Sequence, residues 1–257
     1  MSSKQKSFEE FYYSPKNNVF DIDIIEEYVN SHDGSYEPFR DRIFCPECQI
    51  AKLTFIHKTS RNRAHLKKIP SSYHEEGCSY NYDYASKRTV KKYIDSLKEN
   101  EIQDKLNTMM NQLFRLNKKK IDFGENINES GLMNKSHMTI TESKNNEIVL
   151  RALRRKRLNT WIDESDGTDI YVFYGKVRLK VVEKEKEDYK YYLLQISTLN
   201  KNKEWKFRTN LYRGSIKDIV DENTTYYIVI IGNLEFNYKP WTINLSNKNA
   251  IKYRKYI

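Results

Sequence analysis

All three cysteines of the 257-residue chain lie between positions 45 and 78, as Cys45-Pro46-Glu47-Cys48 and then His74-Glu75-Glu76-Gly77-Cys78. A Cys-x2-Cys pair closes a tight knuckle in which both thiolates can face one ion, and His-x3-Cys returns two further donors. Pro46 fixes one backbone angle and so pre-forms the turn. Three sulfurs and one nitrogen make the donor set of a closed tetrahedral zinc site, which keeps no position open for a substrate. The spacing predicts a structural Zn2+ held by Cys45, Cys48, His74 and Cys78. His57 and His65 also fall between the two pairs, and either can stand in for His74 on spacing alone.

Twenty tyrosines and an aromatic fraction of 13% let this polar chain build a core, because each ring buries a large area. No apolar run approaches the length of a membrane span, and the first ten residues, MSSKQKSFEE, lack the apolar segment of a secretory signal. Cysteines suited to a metal rather than to bridges fit a reducing cytoplasm. The net charge of +10 is unevenly spread. Residues 1–44 carry 5 basic and 9 acidic side chains, 45–120 carry 16 and 8, 121–146 carry 2 and 4, and 147–257 carry 22 and 14. Two basic blocks favour a polyanion, nucleic acid above all, as partner. The Lys- and Asn-rich composition suggests an AT-rich bacterial or phage source.

The expected class is α+β in two parts, with residues 1–120 a zinc-stabilised module, 121–146 a linker and 147–257 a β domain. A short helix is expected near Asp21–Val29, and Lys52–Lys58 with Arg63–Ile69 form a hairpin behind the knuckle. From Arg88 to Leu116, Val90, Ile94, Leu97, Ile102, Leu106, Met109 and Leu113 recur at helical spacing with one slip near Glu99–Glu101, and Lys118–Lys120 close the helix. After a basic, partly helical stretch at Leu150–Leu158, strands follow at 170–182, 189–197, 205–211, 226–236, 241–245 and 250–257. A short helix is expected at Ile216–Val220. Three strands, a helix and more strands, led by a long strand bent at Gly175, resemble the OB-fold family on topology. That resemblance implies a five-stranded barrel that binds single strands.

Alternation predicts that Val177, Leu179 and Val181 point inward and that Lys176, Arg178 and Lys180 point out. On the third strand it places Trp205, Phe207 and Thr209 on one side, with Lys206, Arg208 and Asn210 on the other. Tyr191 and Gln195 lie between, giving cations for phosphates and a ring for stacking on bases. Arg151, Arg154, Arg155, Lys156 and Arg157 form a second candidate, an arginine-rich arm suited to bidentate phosphate contacts. Glu142-Ser143-Lys144 has the Glu-x-Lys form found in metal-dependent nuclease cores, without a convincing preceding Asp.

The segment carrying Cys45, Cys48, Ala64-His65-Leu66, His74 and Cys78 resembles the zinc-binding front of bacterial competence-type proteins over about forty residues. That resemblance implies a metal-stabilised module and carries no catalysis with it. The expected function is a non-enzymatic accessory protein that binds nucleic acid, DNA or RNA, with single strands preferred. The rivals are a protein-interaction adaptor in a mobile-element or defence complex, with protein partners, and a nuclease using Glu142 and Lys144.

Overall fold

The computed structural model describes residues 6–60, 62–114, 136–144, 147–186, 188–237 and 241–256. The chain forms a mixed structure of strands and three α-helices among the described residues, and it divides into two compact units. The first unit comprises 1–83, 117–139 and 150–152, and the second comprises 84–116, 140–149 and 153–257.

The first unit is built from short strands. β1 (Ser7–Phe8) pairs with β6 (His65–Lys68), which pairs with β5 (Leu53–Ile56), all antiparallel. β2 (Glu10–Tyr13) lies between β3 (Asn18–Asp21) and β4 (Ile43–Phe44). Helix α1 (Ile22–Ser31) starts where Asp21 leaves the strand, and it buries Ile22 and Ile25. The described part of the acidic lead, residues 6–44, therefore belongs to a packed unit. Phe8, Phe11, Phe39 and Ile43 share one core with Leu53, Phe55, Leu66, Cys45 and Cys78.

The second unit contains α2 (Lys87–Ser96) and α3 (Glu99–Leu113). Ser86 caps α2 by accepting the Thr89 N–H at 3.1 Å, and the Glu101 carboxylate accepts the Lys98 N–H at 2.7 Å to start α3. The slip in apolar spacing is thus a real break between two helices. Ile102, Leu106, Met109 and Met110 are fully buried, and the Gln103 amide donates to the Asn249 carbonyl at 2.7 Å. These contacts place both helices in the second unit. A module is expected over 1–120 from the sequence; the two compact units divide near Asp83, and the apolar stripe of α3 finds its partners late in the chain. Most of the expected linker, and Lys118–Lys120, lie outside the described residues.

β7 (Thr139–Lys144) and β8 (Glu147–Ala152) form a two-stranded sheet. A seven-stranded sheet follows, made of β9 (Arg154–Arg157), β10 (Ile170–Lys186), β11 (Tyr189–Leu199), β12 (Trp205–Gly214), β13 (Thr225–Glu235), β14 (Thr242–Leu245) and β15 (Ile251–Lys255). β10 is long enough to serve two neighbours. Its first half pairs with β13 (Ile170↔Asn233 to Arg178↔Thr225), and its second half pairs with β11 (Arg178↔Ser197 to Lys186↔Tyr189). β11 pairs with β12, β12 with β14 in parallel at Leu211↔Ile243, and β14 with β13. The pairings therefore run from β10 through β11, β12, β14 and β13 back to β10. Inside lie Phe173, Val177, Leu179, Leu194, Ile196, Leu211, Ile228 and Ile230. Gly232 permits the close approach of β14: a Cβ there would collide with the Asn244 carbonyl and lie 2.9 Å from Ile243 Cγ2.

Two local expectations are corrected. Residues 216–220 form no helix; the segment is irregular, and Ile219 is 93% exposed. Five residues without a buried apolar face cannot offset the cost of helix nucleation. Instead, the buried Arg213–Asp218 ion pair (2.8 Å) holds the segment. The basic stretch at 150–158 is extended rather than helical: β9 runs parallel to β10, with Tyr171↔Arg154 through Tyr174↔Arg157.

Candidate metal centre and candidate nucleic-acid face

The knuckle is closed by backbone hydrogen bonds, Gln49 N–H to the Cys45 carbonyl (2.9 Å) and Cys45 N–H to the Ala51 carbonyl (2.8 Å). Gln49 takes a left-handed conformation to complete the turn. The returning segment is clamped by Glu47, whose carboxylate accepts the Ser79 N–H at 2.7 Å and its hydroxyl at 2.6 Å. Phe8 stacks on Tyr80 at 4.3 Å between centroids and lies 6.1 Å from the His74 ring, so β1 helps orient the histidine.

These restraints bring the donor atoms of Cys45, Cys48, His74 and Cys78 within 4.8 Å of one another, and none of the cysteines is in a disulfide. Cys45 Sγ is 3.8 Å from Cys78 Sγ, and His74 Nδ1 is 3.6 Å from Cys48 Sγ and 3.5 Å from Cys78 Sγ. A tetrahedron with bonds of about 2.3 Å to sulfur and about 2.0 Å to nitrogen has S–S edges of about 3.8 Å and S–N edges of about 3.5 Å. The four residues therefore suit one metal ion, with His74 ligating through Nδ1. The other two histidines are placed elsewhere. His57 packs edge-on against Phe55 at 5.0 Å, and His65 Nδ1 lies 3.1 Å from the Arg63 carbonyl oxygen.

The thiols do not ionise independently. Burial pushes Cys45 up to about 12. Cys78 is pushed up by its hydrogen bonds to Cys45 and Cys48, while hydrogen bonds from Cys45 and Cys78 push Cys48 down. A bound cation would supply the missing counter-charge, since a coordinating thiol is deprotonated outright.

The predicted nucleic-acid residues do not form a single group. Arg178, Lys180 and Tyr191 lie on one face of β10 and β11, as the pairings Arg178↔Ser197, Lys180↔Gln195 and Lys184↔Tyr191 require. Lys176 projects toward other neighbours, with its ammonium 4.2 Å from the centroid of Tyr256 and 5.7 Å from that of Tyr227. Arg208 is the clearest difference. A bulge between Ile196↔Thr209 and Ser197↔Phe207 leaves Arg208 without a cross-strand partner. Its Nε donates to the Leu158 carbonyl at 2.7 Å, a second nitrogen donates to the Thr160 carbonyl, and the guanidinium lies over Trp241. Arg208 thus ties the chain before β10 to β12. Lys206 is exposed and lies 3.3 Å from Glu204.

The same bulge reverses the sides of the preceding residues. Phe207 shares the outer face with Ser197, and Tyr212 shares it with Leu193. Phe207 is 44% exposed and Tyr212 60% exposed. The Tyr191 ring lies 5.7 Å from Tyr212 and 6.0 Å from Tyr189, and Arg178 sits 4.9 Å over Trp205. Simple alternation put Phe207 on the inner side with Thr209 and Leu211, since the bulge at Arg208 leaves no mark in the apolar spacing, and Tyr212 lay just beyond the expected third strand.

The arginine run is an edge strand rather than an arm. Arg154 pairs with Asp169 at 3.0 Å and lies 4.4 Å over the Tyr84 ring, and Lys156 is buried with Asp166 at 2.9 Å. Arg155 and Arg157 flank it in β9. Glu142 accepts the Thr89 hydroxyl at 2.6 Å in the first turn of α2. The side chain of Lys144 lies outside the described residues.

No protein-family model, curated protein or solved structure matches the chain. No helix among the described residues is long and apolar enough to cross a membrane.

Proposed function

We infer that the chain binds single-stranded nucleic acid on the outer face of β10, β11 and β12, and that the first unit is held together by a structural zinc ion. The observation that carries this reading is the grouping of exposed rings with cations on one face. Phe207, Tyr212, Tyr191 and Tyr189 supply surfaces on which bases can stack, and Arg178, Lys180 and Lys184 supply charge for the backbone, whereas Lys206, paired with Thr198, falls on the other side of β12. The ion pair of Lys180 with Glu222 is exposed, so a phosphate can replace the carboxylate at little cost.

The ring of pairings, with β12 and β14 parallel, supports an OB-like barrel as the scaffold. The zinc reading rests on the tetrahedral spacing and the thiolate-rich donor set. The knuckle, hairpin and returning ligand pair are the part that resembles the front module of competence-type proteins, and they support a metal-stabilised fold only. The nuclease alternative at Glu142 has weaker support, because its carboxylate is engaged by the Thr89 hydroxyl.

Fluorescence anisotropy of labelled single- and double-stranded oligonucleotides against the intact protein, over a salt series, tests the reading. Expected is micromolar or tighter binding to single strands that weakens steeply with salt as counterions are released. Absence of binding to either form at low salt would overturn it.

A further inference from the structure

The turn leading into β13 closes one end of this face. Arg178 and Lys180 from β10, Gln195 from β11, Trp205 from β12, and Glu222 and Asn223 from the turn line a cleft of about 210 Å³. The turn is braced. The Asp221 carboxylate accepts the Asn223 N–H at 2.9 Å and the Thr224 hydroxyl at 2.8 Å, and the Asp221 N–H donates to the Tyr226 hydroxyl at 2.8 Å. Glu222 and Asn223 are therefore presented from a backbone that is already ordered, which lowers the entropy lost on binding. On the opposite side the Arg178 guanidinium rests on Trp205, and its buried Nε has no hydrogen-bond partner.

A carboxylate facing a guanidinium across a space of this size discriminates among the bases. Guanine alone offers two adjacent donors, N1–H and the N2 amino group, together with two adjacent acceptors, O6 and N7. The donors match the two oxygens of a carboxylate and the acceptors match the fork of a guanidinium. Adenine has an acceptor at N1 where guanine has a donor; cytosine offers adjacent acceptors at O2 and N3 but only the N4 amino group as donor, and thymine offers neither pair.

We propose that this cleft is a guanine subsite, in which Glu222 accepts from N1 and N2 of one unpaired guanine and Arg178 donates to its O6 and N7. The proposal rests on the single-strand reading above. Glu222 now pairs with Lys180 at 2.8 Å, and both side chains are 56% exposed, so the pair opens readily and frees Lys180 for a phosphate.

The test uses the full-length protein and labelled oligothymidylates carrying one central guanine, adenine, cytosine or hypoxanthine. The guanine strand should bind about tenfold more tightly than the adenine and cytosine strands, in the range expected for one good bidentate pair. Hypoxanthine, which lacks the N2 amino group, should fall between. Glu222→Gln should bring the guanine strand down to the others, and Arg178→Lys should reduce its advantage by removing the planar fork. Equal affinity for all four strands, or a guanine preference that survives Glu222→Gln, overturns the subsite and leaves the single-strand reading standing. Failure to bind any strand overturns both.

Discussion

The two units reach a buried core by opposite routes. In the first, each described strand is two to four residues long, and the core is assembled from scattered aromatic rings around a buried sulfur cluster. In the second, strands of ten to seventeen residues stack aliphatic side chains on the inner faces of a continuous sheet. Short strands bring few ladder hydrogen bonds and little buried area for each residue ordered, so under the proposed function the first unit is expected to depend on a bound ion. The second has enough apolar burial to stand on packing.

Metal removal should break the comparison most strongly. Structural zinc contributes about 10–16 kcal/mol in small domains. Chelation, or Cys45→Ser, should abolish ordered amide signals from β1 to β6 while those of β10 to β13 persist, as read by two-dimensional NMR. Metal analysis should find one ion per chain in the native protein and in His57→Ala and His65→Ala variants, and loss of the ion in His74→Ala. Collapse of both units on chelation would show that the second also depends on the ion.

The reverse perturbation acts on the sheet. Phe173 is fully buried in the second core, and Phe173→Ala should cost about 3–5 kcal/mol in a denaturant titration without lowering metal content. A smaller effect concerns Lys105 on α3, whose pKa burial lowers from 10.5 to about 8. In the unfolded chain this lysine still holds its proton between those values while the folded chain has released it, so stability should rise as pH increases from about 8 toward 10.5. Lys105→Met should raise stability at pH 7 and flatten that rise.

The smallest effects separate binding from structure on one strand. Phe207→Ala should weaken single-strand binding by about 1–3 kcal/mol, the usual worth of one stacked base, with little change in unfolding. Arg208→Ala should do the opposite. It leaves the Leu158 and Thr160 carbonyls without their donor, costing about 1–3 kcal/mol of stability, and the folded variant should bind as before. Equal binding losses in both variants would put Arg208 back on the binding face.

Much of this was local and therefore legible. The donor set Cys45, Cys48, His74, Cys78 could be read because a knuckle and a short return are fixed by spacing. The strands β10 to β15 could be read to within a few residues, because alternation and turn residues record which stretches pair. Even the break between α2 and α3 showed as a slip of the apolar period.

Three other features depended on residues distant in sequence. A bulge at Arg208 changes which residues face out, and it exists only because β11 and β12 pair in that register. The placement of His74 beside the cysteines, with His57 held elsewhere, follows from where Phe8, Tyr36 and Phe55 place their rings. The run at Arg154–Arg157 became an edge strand because β10 offered it a parallel partner and Asp166 and Asp169 offered it charge. The sequence by itself determined the clustered Cys and His donors and the strand segments, since both are set by neighbours in the chain. The tertiary structure decided which rings and cations face solvent together, because that depends on register between strands.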